Sequence, residues 1–240
     1  MPPRAAQATA RAGEERTMPS TEDLIGAIKG GDAARVRAIL RDEPALAAAR
    51  DPAGVSLPLL ALYHRRQEVA EALLEANPPL DVFDAAALGH VERLRALLAA
   101  DPAAANAWAA DGFFPLGLAC FFGRPAAVRV LLDAGADVRA AARNPMRVTG
   151  LHAAAAARAT GIARVLLERG AEVDARQQAG YTALHAAARH GDEELVDLLL
   201  AHGADPSLRS DDGKDAAAHA RDQGHDRLAD RLQPAARPRS

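Results

Sequence analysis

Gly180-Tyr181-Thr182-Ala183-Leu184-His185-Ala186-Ala187, continued by Leu199-Leu200 and Gly203-Ala204-Asp205, is the stretch that decides the fold. A threonine ahead of an apolar run caps a helix, because its hydroxyl accepts from the free N–H groups of the first turn. The leucine pair marks a second, more hydrophobic helix. Glycine after that pair suits a helix C-terminus, since glycine alone enters the left-handed region without steric penalty. Residues 180–205 therefore read as helix, turn, helix and stop.

Moving outward, the same unit recurs. Thr149-Gly150-Leu151-His152-Ala153-Ala154 repeats the first half, and Phe114-Pro115-Leu116-Gly117-Leu118-Ala119 repeats it more loosely. Gly135-Ala136-Asp137 and Gly170-Ala171-Glu172 repeat the stop. Leucine pairs or their equivalents fall at Ile39-Leu40, Leu73-Leu74, Leu97-Leu98, Leu131-Leu132, Leu166-Leu167 and Leu199-Leu200, at spacings of 34, 24, 34, 35 and 33 residues. A steady period of this length is the mark of a stacked repeat array.

These residues resemble the ankyrin repeat, whose signature runs Gly-x-Thr-Pro-Leu-His-x-Ala-Ala and later Val-x-x-Leu-Leu-x-x-Gly-Ala-Asp. The resemblance covers residues 20–233 and implies an all-α solenoid of about seven stacked helix-turn-helix units with short loop or β-hairpin fingers. It also implies that His152 and His185 are structural, each bonding to the turn of the neighbouring unit. Alanines such as Ala153-Ala154 and Ala186-Ala187 would let helices approach closely, and the leucine pairs would bury the second helices.

The template places units near 20–51, 52–77, 78–108, 109–142, 143–176, 177–209 and 210–233, with tails at 1–19 and 234–240 expected to be disordered. Met18 stands immediately before the capping pattern Ser20-Thr21-Glu22-Asp23 and is an alternative start to Met1. The last unit exchanges the signature for Asp215-Ala216-Ala217-Ala218 and is followed by charged residues, as a water-facing cap should be. Two departures stand out. The period contracts at Asn77-Pro78-Pro79, where a whole β-hairpin is missing, and the loop within 140–148 gains two residues. Glu43-Pro44 and Asp101-Pro102 also replace Gly-Ala, so those turns should differ.

Composition narrows the function classes. The net charge is −3, with no basic footprint for nucleic acid, and no run of apolar residues spans a membrane. A single cysteine, Cys120, forms no internal disulfide and fits a reducing, cytoplasmic setting. Alanine and arginine usage suggests a GC-rich bacterial genome. No Gly-x-Gly-x-x-Gly, Gly-x-x-x-x-Gly-Lys or Gly-x-Ser-x-Gly occurs, and eight dispersed histidines with one cysteine do not make a zinc site. No cofactor or metal is expected. Asp192-Glu193-Glu194 reads as a helix start complementing the helix dipole, and Asp211-Asp212 as a loop, in preference to a catalytic pair.

The expectation is a monomeric, non-enzymatic module that binds another protein. By resemblance, binding would use the two residues at the end of each first helix and the finger tips. That map selects Tyr63, His64, Leu88, Phe113, Phe121, Phe122, Met146, Gln178, Tyr181, Arg189 and His190 as partner-contacting residues. Its centre is apolar and its C-terminal end polar. Phe114, in the threonine slot, is expected to turn inward. The aromatic cluster, with Trp108 nearby, has two readings: an exposed hot spot, or core buried as the fourth unit folds over the gap left by the missing finger. The alternative function is a small-ligand binder or enzyme with a pocket near Phe113, Phe121, Phe122 and His64.

Overall fold

The structure, a computed structural model, describes residues 18–233; the expected tails, apart from Met18 and Pro19, lie outside them. Fourteen α-helices follow in seven pairs. The first three pairs are α1 Thr21–Gly30 with α2 Ala33–Asp42, α3 Leu57–Tyr63 with α4 Gln67–Glu75, and α5 Val82–Leu88 with α6 Val91–Ala100. Next come α7 Pro115–Phe121 with α8 Pro125–Asp133, and α9 Gly150–Ala156 with α10 Thr160–Glu168. The last two are α11 Ala183–Arg189 with α12 Glu193–Ala201, and α13 Ala216–Asp222 with α14 Asp226–Leu232. Extended pairing among the described residues is limited to two isolated bridges, Arg50 with Ser56 and Ala141 with Thr149.

Each helix starts and stops for a local reason. Ser20, Thr149 and Thr182 cap α1, α9 and α11 with reciprocal boxes in which the third helical residue, Asp23, His152 or His185, returns a bond to the cap. Asp81 and Asp84 make the same box at α5. Phe114 forms no cap bond; its ring is buried and fills the space over Gly117, where a Cβ would come within 2.8 Å of it. The Phe114 and Gly117 pair thus substitutes packing for the Thr-to-His hydrogen bonds. Gly135, Gly170 and Gly203 end the second helices at φ 85°, 87° and 87°, and Asn77 takes the left-handed position after α4. Short 3-10 turns at Pro44–Ala48 and Pro102–Asn106 stand where Gly-Ala is missing.

The first helices stack on one another in chain order, from α1 through α13, and form one layer. The second helices make the other layer: α2 on α4, then α6 through α12 in sequence. Between α4 and α6 this outer layer is interrupted. The buried apolar residues accordingly divide into two clusters, one from Leu24 to Leu73 and the other from Val82 to Leu232. Ala87 and Leu118 belong to the first cluster, and Phe83 and Phe113 touch both, so the two clusters meet through the first-helix layer and the second finger.

Fingers connect the pairs. They close with Asp51 N–H to Val55 O, Ala109 to Phe113, Ala142 to Val148, Gln177 to Tyr181 and Ser210 to Lys214, at 2.8 to 3.0 Å. The third is the enlarged one, two residues longer than its neighbours. No finger separates α4 from α5, because Asn77 to Leu80 run directly into the Asp81 cap. Neighbouring tips are tied by Arg143 N–H to Gly112 O, Gln178 to Met146 and Asp211 to Ala179, at 2.8, 2.9 and 2.9 Å.

Candidate functional site

A left-handed residue follows the first helix in every unit: Gly31, Arg65, Gly89, Gly123, Arg158, Gly191 and Gly224. This shared turn puts the residues before it in register down one edge of the stack. Tyr63 and His64 precede Arg65, Leu88 precedes Gly89, and Phe121 and Phe122 precede Gly123.

Skipping the third unit, Tyr63 meets Phe122 with ring centroids 6.0 Å apart and planes 29° from parallel. Phe121 stands edge-on to Phe122 at 5.1 Å, and Phe113 from the second finger reaches Tyr63 at 6.2 Å. Such offset and edge-on pairs are worth about 0.5–1.5 kcal/mol each beyond burial. The Tyr63 hydroxyl donates to Asp111 Oδ2 at 2.8 Å, which fixes its ring. Burial, and then that carboxylate, push the phenol far above its ordinary pKa, so it stays protonated and donating.

The two readings of the aromatic cluster divide by residue. Phe114 is core; Tyr63, Leu88, Phe113 and Phe122 are half-buried; Phe121 is 49% exposed. Beside them lies an open groove of about 470 Å³ whose lining includes Tyr63, Arg65, Arg66, Phe121, Phe122 and Arg124. Phe113 and His64, also expected near a pocket, are outside that lining, and His64 is exposed.

The remaining residues gather elsewhere. Met146 is 49% exposed at the tip of the enlarged finger, and its carbonyl accepts from Gln178 N–H. Tyr181 closes the next finger, with its ring 5.6 Å from His185 and 4.9 Å from His219. Arg189 and His190 are exposed at the end of α11. The structure therefore brings together an aromatic group at units two to four and leaves Met146, Gln178, Tyr181, Arg189 and His190 apart from it in units five and six.

His152 and His185 adopt the arrangement implied by the resemblance. Thr149 N–H donates to His152 Nδ1 at 3.3 Å, so the proton sits on Nε2 and is donated to Tyr181 O at 3.2 Å. His185 does the same between Thr182 N–H and Leu208 O, at 3.1 and 3.1 Å. Burial lowers the His152 pKa to about 4 and lowers that of His185 too, so both rings are neutral spacers. Cys120 is fully buried, which raises its thiol pKa and removes its nucleophilic character.

Sequence reasoning overlooked Asp84. Its side chain is 2% exposed, accepts from the Ser56 hydroxyl, and accepts from Asp81 N–H at 3.2 Å. Burial, and then the Asp81 carboxylate, raise its pKa to about 6; Asp81 is itself paired with Arg50 at 2.8 Å. Ser56 lies in the preceding unit, 28 residues away, so nothing local announced the bond. Among the described residues no group of three or more His, Cys, Asp or Glu side chains could hold a metal ion, and no helix is long and apolar enough to cross a membrane.

Comparison with known proteins gives the same repeat. The family profile described as ankyrin repeats in three copies matches residues 140–210, and the single ankyrin repeat profile matches 111–143. No curated protein matches the sequence.

Proposed function

The chain is an ankyrin-repeat protein, and on that footing we propose that it acts by docking another protein on the edge formed by its first-helix ends and finger tips. Repeats of this family generally mediate protein–protein interaction. The observation that supports this site is Phe121. An aromatic ring half open to solvent is held edge-on by Phe122, which is itself stacked on Tyr63. A preordered, partly exposed aromatic anchor is what an interface hot spot needs, because little side-chain entropy remains to be lost on docking. The polar group of Gln178, Tyr181, Arg189 and His190 would form the outer part of the same footprint. The lone buried cysteine suits work in the cytoplasm, by binding and without a catalytic step.

Capture from extracts of the producing cells tests this proposal. A protein retained by the unaltered chain should be lost with Phe121→Ala, while far-ultraviolet circular dichroism is unchanged. Retention by Phe121→Ala at full strength would move the site away from the aromatic edge. A second reading, a small-ligand site, draws on the groove volume, which falls in the range of ligand pockets. A metabolite panel that raises the Tm of the wild type but not of Phe121→Ala would favour it.

A further inference from the structure

The aromatic groove has one charged rim and it is uniformly basic. Arg65 and Arg66 in the α3–α4 turn and Arg124 in the α7–α8 turn line it, and its lining includes no carboxylate. This is a local excess on a chain whose net charge is −3.

Two of the three arginines are held in place by backbone. Arg124 Nε donates to Ala87 O at 2.9 Å and Arg66 Nη2 to Lys29 O at 3.3 Å, each side chain lying over the glycine that ends the preceding first helix. A guanidinium has five N–H donors, so each retains most of its capacity after that anchoring. Arg65 differs. Among the described residues its side chain has no hydrogen bond or ion pair, and it is exposed.

Arg65 also sits in the left-handed slot at φ 56°, where five of the seven units place glycine. A side chain at that φ costs free energy that glycine would not. The other exception, Arg158 at φ 55°, pairs with Asp192 at 3.7 Å; among the described residues Arg65 has no such pairing.

We propose that the groove takes an acidic segment of a partner polypeptide, with an apolar side chain seated on Tyr63, Phe121 and Phe122 and flanking carboxylates meeting Arg65, Arg66 and Arg124. The proposal rests on the docking function above and adds the chemistry of what docks. Guanidinium and carboxylate pair through two parallel bonds, and basic groups at the rim of an aromatic seat raise the rate of encounter with an acidic chain.

The test is selection of random dodecapeptides on the full chain, followed by fluorescence anisotropy with the selected sequences. Enrichment of Asp and Glu around an aromatic or large aliphatic residue is expected. Binding should weaken about tenfold or more with Arg65→Gly, and again when salt is raised. Arg65→Gly installs the residue type that the slot favours, so its Tm should hold or rise, and lost binding cannot then be ascribed to unfolding. Neutral or basic selected peptides, binding indifferent to Arg65→Gly, or failure to select any sequence would overturn the proposal. So would equally tight binding of a single-stranded oligothymidylate, which would point to polyanions in general. Peptides lost with Phe121→Ala but indifferent to Arg65→Gly would leave the docking edge standing and remove only its acidic preference. Peptides indifferent to both would remove the docking edge itself.

Discussion

Replacing His152 by alanine should destabilise the chain through two groups that the imidazole satisfies at once. Its Nδ1 accepts from Thr149 N–H and meets the Thr149 hydroxyl at 2.8 Å, and its Nε2 donates to Tyr181 O across the unit boundary. The ring is 3% exposed, so water does not readily replace it. Leaving the Thr149 amide and the Tyr181 carbonyl unpaired costs about 1–3 kcal/mol each, or about 2–6 kcal/mol together. Urea titration followed by circular dichroism measures the loss. pH adds a second arm. With a free value of 6.5 and a folded value of about 4, the neutral ring contributes fully above the free value. Stability then declines as pH falls below 6.5, and about 3 kcal/mol is gone near pH 4. His152→Ala should lose that part of the acid dependence. A loss under about 0.5 kcal/mol at pH 7, or an unchanged acid profile, would refute the reasoning.

Three further outcomes are expected. Asp84→Asn should stabilise the chain at pH 8, since a carboxyl raised from 3.8 to about 6 favours folding below 3.8 and loses that contribution as pH rises through about 6; the advantage should vanish near pH 4, and thermal melts at both pH values check it. Phe121→Ala should leave the urea midpoint nearly unchanged because the ring is 49% exposed, whereas Phe122→Ala should lower stability by about 1–2 kcal/mol through its lost contacts with Tyr63 and Phe121. Cys120 should react with an aromatic disulfide reagent only as fast as the chain opens, and stopped-flow traces showing immediate labelling would contradict its burial.

Much of this architecture was legible because each repeat carries its own boundary signals. Thr182 with His185, the leucine pairs and Gly203 announce a cap, a buried face and a stop within a few residues of one another. The absent finger at Asn77-Pro78 and the enlarged one before Thr149 were legible as changes of period. What stayed hidden depends on neighbours distant in sequence. Tyr63 meets Phe122 across the third unit, between residues 59 positions apart, and no local pattern encodes that contact. Asp84 stayed unremarked because its buried bond is to Ser56 of the preceding unit. His219 joins Tyr181 and His185 across a finger, beyond the reach of the repeat template. The division of the core in two likewise follows from a gap between α4 and α6, which a count of helices does not reveal.

The most direct test of the docking edge is photo-crosslinking in the producing cells with p-benzoylphenylalanine at position 121, against the same probe at Glu168, an exposed residue at the far end of a second helix. A discrete adduct with one polypeptide at position 121, absent at 168 and weakened by Arg65→Gly, is the predicted result. No adduct at 121, or the same adducts at both positions, would contradict the account.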